Sequence, residues 1–177
     1  PDLVVIACPT DAHYDVLVEV LEACSPKYIL CEKPLSYFAP ESVKIVEVCK
    51  ARGVELFVNY MRTSNPGFIE IRNRIRDGRI QGPFKGNIWY SKGLKHNGSH
   101  FVNLMQFWFG DVQHIRKINH GRSMPLGDSE PDFVLEFENG QFIFTSSWDE
   151  SYPYFSVELL SPSGRLYVGH NEEKILW

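Results

Sequence analysis

The stretch "YILCEKPLS", Tyr28 to Ser36, decides how this chain is read. Tyr28–Cys31 is a short apolar run that ends on an acid, a base and a proline: Glu32, Lys33 and Pro34. Comparable runs lie on either side, "LVVIAC" (Leu3–Cys8) and "VELFVNY" (Val54–Tyr60). Between them apolar residues recur at helical spacing. Thr10 is expected to cap the first helix, with Leu17, Val20, Leu21 and Cys24 as its inner stripe. Pro40 suits the first turn of the second helix, which is expected to run to about Arg52 and end at Gly53. Strands separated by helices of this length predict right-handed crossovers and a parallel sheet. The unbroken apolar run Leu3–Cys8 predicts a strand buried on both faces.

Ligands of an open parallel sheet sit beyond the carboxyl ends of its strands. Three such ends carry polar groups here: "CPTDAH" (Cys8–His13), Glu32-Lys33-Pro34, and "NYMR" (Asn59–Arg62). A lysine at such a rim can hold a substrate oxygen and stabilise negative charge on it. From spacing alone, an exposed ion pair at a strand end explains Glu32 and Lys33 equally well.

The composition bounds the class. Of 177 residues, 44 % are hydrophobic and 23 % charged, and the net charge is -4, which describes a globular chain with no basic footprint for nucleic acid or for an anionic membrane. No apolar run approaches the ~20 residues that span a bilayer. The four cysteines, Cys8, Cys24, Cys31 and Cys49, fall within strand and helix patterns. They are expected to be small buried hydrophobes of a reducing compartment, the cytoplasm, with no zinc-type spacing among them. The chain opens on Pro1, and the expectation is a piece of a longer protein.

The second part of the chain changes character. Asn65-Pro66 opens a helix with Phe68, Ile71 and Ile75 inward, stopping near Gly78. A strand follows in "FKGNIWYSKG" and an apolar helix in "NGSHFVNLMQFWFG", which Asn97 or Ser99 is expected to cap. "DFVLEFENGQFIFTSSW" reads as a hairpin turning through Asn139-Gly140 as a type I′ turn, and "VELLSPSGRLYV" as another through Pro162-Ser163-Gly164. The expected fold class is α/β: the C-terminal half of a Rossmann-like parallel sheet, then an α+β domain with a mostly antiparallel sheet.

Beyond the spacing, "CEKPL" after an apolar strand, preceded by "ACPTDAH" and followed by "NYMR", resembles the Gfo/Idh/MocA family of oxidoreductases. The resemblance covers the whole chain. The turn ending at Gly82–Phe84 is similar to the family's turn after its linker helix, and "GSHFVNLMQFWFG" to its His-headed helix. The resemblance implies a partial dinucleotide-binding domain over residues 1–62 and a substrate-binding and oligomerisation domain over 63–177. It implies NAD or NADP as cofactor and reversible hydride transfer to or from a hydroxyl carbon of a sugar, cyclitol or nucleotide sugar. Lys33 would stand at the reaction centre and His100 would exchange the hydroxyl proton. Pro9, Thr10, His13, Glu32 and Lys33 would contact the cofactor. Arg62, Tyr90 and Lys95 are candidates for a sugar pocket, and equally for packing or surface. The family's open sheet face implies a homo-oligomer, and Phe133, Leu135, Phe137, Phe142 and Phe144 supply more apolar surface than one helix layer would cover.

Two departures stand out. Many members carry Asp four residues before the helix-heading His, where this chain has His96, so His96 or Asn97 stands in or the substrate class differs. His96 and His100 have the i, i+4 spacing of a metal pair, but no third ligand is evident and no metal is expected. The family's Gly-rich phosphate turn is also missing: the first glycine is Gly53 and no GxG occurs. The chain alone is therefore expected to hold a pyrophosphate poorly and to be inactive. The alternative reading is a regulatory protein of the same fold that binds a dinucleotide or sugar without turnover.

Overall fold

A computed structural model describes residues 1–148, 154–169 and 174–177. The chain divides into two compact units, Pro1–Tyr60 and Met61–Trp177.

The first unit alternates strand and helix: β1 (Leu3–Ile6), α1 (His13–Ala23), β2 (Tyr28–Cys31), α2 (Ala39–Ala51) and β3 (Glu55–Val58). The strands form a parallel sheet in the order β1-β2-β3, with Val5, Leu30 and Phe57 in register, and Ile6, Cys31 and Val58 likewise. Leu17 and Leu21 of α1 and Ile45 and Cys49 of α2 pack with Ile6, Ile29 and Cys31 in one apolar core. Both helices thus cover the same face. On the opposite face Leu3, Val5, Tyr28 and Phe57 are 42–56 % exposed. The expectation of a first strand buried on both faces is corrected: side chains alternate along a strand, and only the alternate set meets a helix. Thr10 also does not cap α1. It opens a separate turn, Thr10–Ala12, and the helix begins at His13 with no side-chain cap. α2 ends at Arg52, and Gly53 follows at φ 68°, a conformation that costs glycine little.

The second unit opens with a short 3₁₀ turn, Met61–Ser64, and α3 (Pro66–Arg76), whose first turn is capped by Asn65 Oδ1 accepting the Gly67 N–H at 2.8 Å. Then come β4 (Phe84–Tyr90), α4 (Ser99–Phe109), β5 (His114–Lys117), the short β6 (Ser123–Met124) and β7 (Asp128–Ser129), β8 (Phe133–Phe137), β9 (Gly140–Ser146), β10 (Ser156–Ser161), β11 (Gly164–Gly169) and β12 (Lys174–Leu176). Seven of these form one sheet in the order β12-β11-β10-β4-β9-β8-β5, in which β4 and β9 are the one parallel pair; β6 and β7 pair separately. The described part of the chain thus has the expected class: a parallel α/β sheet, then a mostly antiparallel sheet.

The hairpin β8–β9 turns on Glu138-Asn139, because Phe137 pairs with Gly140. This corrects the expected Asn139-Gly140 turn. Gly140 is needed for space instead: a Cβ there would lie 2.8 Å from the Phe142 ring and 3.2 Å from Phe84. Phe133, Leu135, Phe137, Phe142 and Phe144 are all at most 6 % exposed and share one core with Phe68, Leu104 and Trp108 of α3 and α4. They are not surplus surface for a partner, as the sequence led us to expect. The Trp108 indole locks the helix layer by donating to the Phe68 carbonyl at 3.0 Å. The other sheet face is mixed: Thr145 donates to Asn87 and Arg165 pairs with Glu158, beside the part-exposed Trp89, Ile143 and Leu160.

Candidate active site

In the first unit the candidate residues follow the carboxyl ends of the strands, as parallel-sheet geometry demands. Pro9 is exposed and Thr10 half-buried after β1; Glu32 and Lys33 are half-buried after β2. The Glu32 N–H donates to the Ile6 carbonyl at 2.9 Å, extending the ladder one residue and fixing where its side chain leaves the sheet. Asn59, at the end of β3, donates from Nδ2 to Glu32 Oε1 at 2.6 Å. One oxygen of the carboxylate is thereby anchored. Lys33 precedes Pro34 through a cis peptide bond.

His13 departs from its expected role. It is fully buried, with Nδ1 3.1 Å from the Leu35 carbonyl and Nε2 3.1 Å from the Cys8 carbonyl. It ties the loop after β1 to the loop after Lys33-Pro34 and presents no ring edge to a cofactor. Beneath the rim, Cys31 is buried. Burial first, then the neighbouring Cys8, Glu32 and Cys49, push its thiol up to about 12. All four thiols are free, with Cys31 and Cys49 buried and Cys8 and Cys24 half-buried.

In the second unit the candidates gather around the start of α4. A π-type turn, Leu94–Gly98, runs directly into the helix, and His100, 5 % exposed, is its second residue. The expected cap is absent. Ser99 donates its hydroxyl to the Lys95 carbonyl at 2.7 Å and Asn97 donates Nδ2 to the Ser91 carbonyl at 2.9 Å. His96 is exposed within the turn. Lys95 donates Nζ to the Gly127 carbonyl at 2.9 Å. The Arg62 guanidinium lies 4.7 Å over the Phe101 ring and 5.2 Å over Phe155, a cation–π seat one residue from His100. Tyr90 leaves the list of pocket candidates. It is fully buried with its hydroxyl on the Pro131 carbonyl, and burial together with the carboxylates of Glu130, Asp132 and Asp128 keeps the phenol protonated.

Asp128 is the residue that sequence reasoning missed, and Asn59 was noted only as part of the strand end "NYMR". Asp128 is 7 % exposed, and its carboxylate accepts the backbone N–H groups of Lys95, His96 and Ser129. The acid-rich "GDSEPD" ahead of a strand was the available signal. Among the described residues no group of three or more His, Cys, Asp or Glu is arranged to hold a metal, and no helix is long and apolar enough to cross a membrane.

Known proteins resemble this chain in both sequence and fold. Residues 1–60 match the family model described as an oxidoreductase family with an NAD-binding Rossmann fold. The scyllo-inositol 2-dehydrogenase (NAD(+)) of Bacillus subtilis strain 168 is 32 % identical over 196 residues, which is 95 % of this chain and 55 % of that protein. An inositol 2-dehydrogenase of Corynebacterium glutamicum is 36 % identical over 106 residues, 59 % of this chain and 29 % of that protein. The chain spans from about a quarter to about half the length of such relatives, 24 % in the Salmonella inositol 2-dehydrogenases and 55 % in the Bacillus enzyme. Among solved structures, the WlbA dehydrogenase of Bordetella pertussis, in complex with NADH and UDP-GlcNAcA, superposes with a TM-score of 0.82 at 18 % identity, over 98 % of this chain and 61 % of that one. A myo-inositol dehydrogenase from Corynebacterium glutamicum gives 0.75 at 16 %, over 95 % and 56 %. The first sixty residues thus match the Gfo/Idh/MocA oxidoreductase family model, and nearly the whole chain aligns with the Bacillus enzyme.

Proposed function

We propose that this chain forms the nicotinamide-facing and substrate-binding parts of an oxidoreductase that uses NAD, or NADP, on a hydroxyl carbon of a sugar, cyclitol or nucleotide sugar. One observation carries the reading: an acid and a lysine at the carboxyl end of the central parallel strand, with the acid anchored by Asn59 at 2.6 Å. A solvated surface ion pair needs no such anchor.

The donor set fits the nicotinamide half of a dinucleotide. Pro9 offers an apolar edge, Thr10 a hydroxyl, and the second oxygen of Glu32 an acceptor for a ribose hydroxyl. No Gly-rich turn lies in residues 1–60 to cradle a pyrophosphate. When bound, the cofactor supplies the hydride chemistry. The chain's own residues do the rest. The Lys33 ammonium lowers the cost of negative charge on the substrate oxygen, and the His100 imidazole takes or returns the hydroxyl proton. His96 and Asn97, in the turn before His100, and Arg62 and Lys95 are proposed to contact the polyol. His13 is proposed to hold the loops around Pro9 and Lys33 in place.

The relatives' names support this substrate class: inositols for the sequence relatives and a nucleotide sugar for WlbA. Residues 1–60 are proposed as the dinucleotide side and residues 61–177 as the substrate side. A homo-oligomer through the mixed outer sheet face of Trp89, Ile143 and Leu160 completes the reading, and the free thiols suit a reducing cytoplasm.

A fluorescence titration with NADH and NADPH, on this chain and on the full-length gene product, tests the proposal. The full-length product is expected to bind, with Lys33→Ala abolishing turnover. Absence of binding in both would overturn the oxidoreductase reading. Binding with undiminished affinity but no turnover of any polyol in the wild type would leave a regulatory protein.

A further inference from the structure

The first N–H groups of a helix need acceptors from outside it. At the start of the α4 turn no local side chain supplies one: neither Gly93 nor Gly98 makes a side-chain cap, and Ser99 donates backwards to the Lys95 carbonyl. The acceptor comes from β7. Asp128 Oδ1 takes the Lys95 N–H at 2.9 Å and the Ser129 N–H at 2.8 Å, and Oδ2 takes the His96 N–H at 3.0 Å. A neighbouring carboxylate continues the pattern, with Glu130 Oε1 accepting the Gly93 N–H at 3.1 Å and Oε2 paired with Arg122 at 2.6 Å. The Lys95 ammonium closes the other side on the Gly127 carbonyl.

Gly93 shows how tight the fit is. It sits at φ 88°, and a Cβ there would lie 2.2 Å from Asp128 Oδ2. A neutral Ser, Thr or Asn in the turn would cap a helix adequately. Burying a carboxylate is costly unless its oxygens are satisfied, and here three amides do so at fixed angles. Two consecutive amides gripped by two oxygens of one rigid group also fix the direction in which the next turn of helix leaves. His100 lies on that turn.

We infer that Asp128 is a positioning residue for His100: its carboxylate sets the Lys95–His96 backbone and, through it, the placement of the imidazole. This rests on the assignment of His100 as the proton-exchanging group. Asp128→Asn keeps the shape but turns an amide donor toward a backbone donor. Asn65→Ala, which removes the cap of α3, is the control for lost stability alone.

Two readouts decide. In ¹⁵N-labelled chain, Asp128→Asn is expected to move the amide protons of Lys95 and His96 upfield and to shift the His100 imidazole signals, whereas Asn65→Ala moves neither. In the full-length gene product, assayed with myo-inositol, scyllo-inositol and UDP-GlcNAcA, Asp128→Asn is expected to lower kcat on the order of 10²-fold, as displaced catalytic groups do, with KM for NAD within about twofold. A lowered melting temperature with unchanged His100 signals and unchanged kcat overturns the inference. Should Asp128→Asn not fold, Asp128→Glu, which keeps the charge but displaces it by one methylene, carries the same readouts, and an unmoved His100 there overturns it equally. If the wild type turns over none of the three substrates, the proposed function falls, while the amide and imidazole signals still decide what Asp128 does.

Discussion

The two units differ in how completely they bury what they contain. The first holds all four cysteines and no tryptophan; the second holds all four tryptophans and no cysteine. The first covers one face of a three-stranded sheet with two helices and leaves Leu3, Val5, Tyr28 and Phe57 about half exposed. The second gathers twenty buried residues between its helices and one sheet face, and dresses the other face with hydrogen bonds and an ion pair. Apolar strand composition alone therefore does not tell whether a face is covered. In the first unit the fully buried strand residues, Ile6, Ile29 and Cys31, are those that meet a helix.

That contrast is open to attack, because the two units carry separate natural probes. Phe144→Ala should cost most, about 4 kcal/mol, since the ring is fully buried and stacked on Phe133 at 4.6 Å. Denaturant titration followed by tryptophan fluorescence should show it as a lowered midpoint. Leu17→Ala, also fully buried, should cost about 3 kcal/mol. It should leave the tryptophan transition in place while iodoacetamide reaches Cys31 and Cys49 faster. Coincident shifts in both probes for either variant would mean that the units unfold as one, and the contrast would collapse. Asn59→Ala removes one hydrogen bond to a carboxylate, an expected loss of roughly 1.5–3 kcal/mol of stabilisation at most, reduced by its half-exposed setting. Its clearer signature should be weaker NADH binding by the full-length product, and an unchanged affinity would remove Asn59 from the site. The smallest effect is expected for Arg165→Ala, whose exposed pair with Glu158 should be worth no more than about 1 kcal/mol. A melting temperature lowered by many degrees would show that the outer face of the larger sheet matters to folding.

How much of this was legible in the sequence depended on whether a residue acts locally. The strands and helices of the first unit were readable because apolar periodicity and glycine placement are local signals, as at Tyr28–Cys31 and Gly53. The Asn65 cap was readable for the same reason. The hairpin at Glu138-Asn139 was misplaced by one residue because Gly140 answers to the Phe142 ring two residues on and to Phe84 on the neighbouring strand, not to the turn. His13 was placed against the cofactor by the family resemblance, which speaks to the segment and not to the direction of the ring. What turns it inward are two carbonyls, one of them 22 positions away. Tyr90 and Asp128 were misjudged or missed alike, since their partners lie 32 to 41 positions off along the chain. The position of Glu32 and Lys33 at the carboxyl end of β2 was legible because the apolar run Tyr28–Cys31 marks where the strand stops.

The strand order of the larger sheet also carries a schedule. β4 ends at Tyr90, yet both of its neighbours, β9 and β10, come from far downstream, Gly140–Ser146 and Ser156–Ser161. At the ribosome β4 therefore emerges with no strand to pair with. At roughly 5–20 residues per second it waits several seconds for β9 to follow. The strands of the first unit pair only with one another, within Pro1–Tyr60, and all of them precede β4 in synthesis. During synthesis, the exposed liability of this protein is the unpaired segment "FKGNIWY", and a chaperone that binds apolar strands would find it there first.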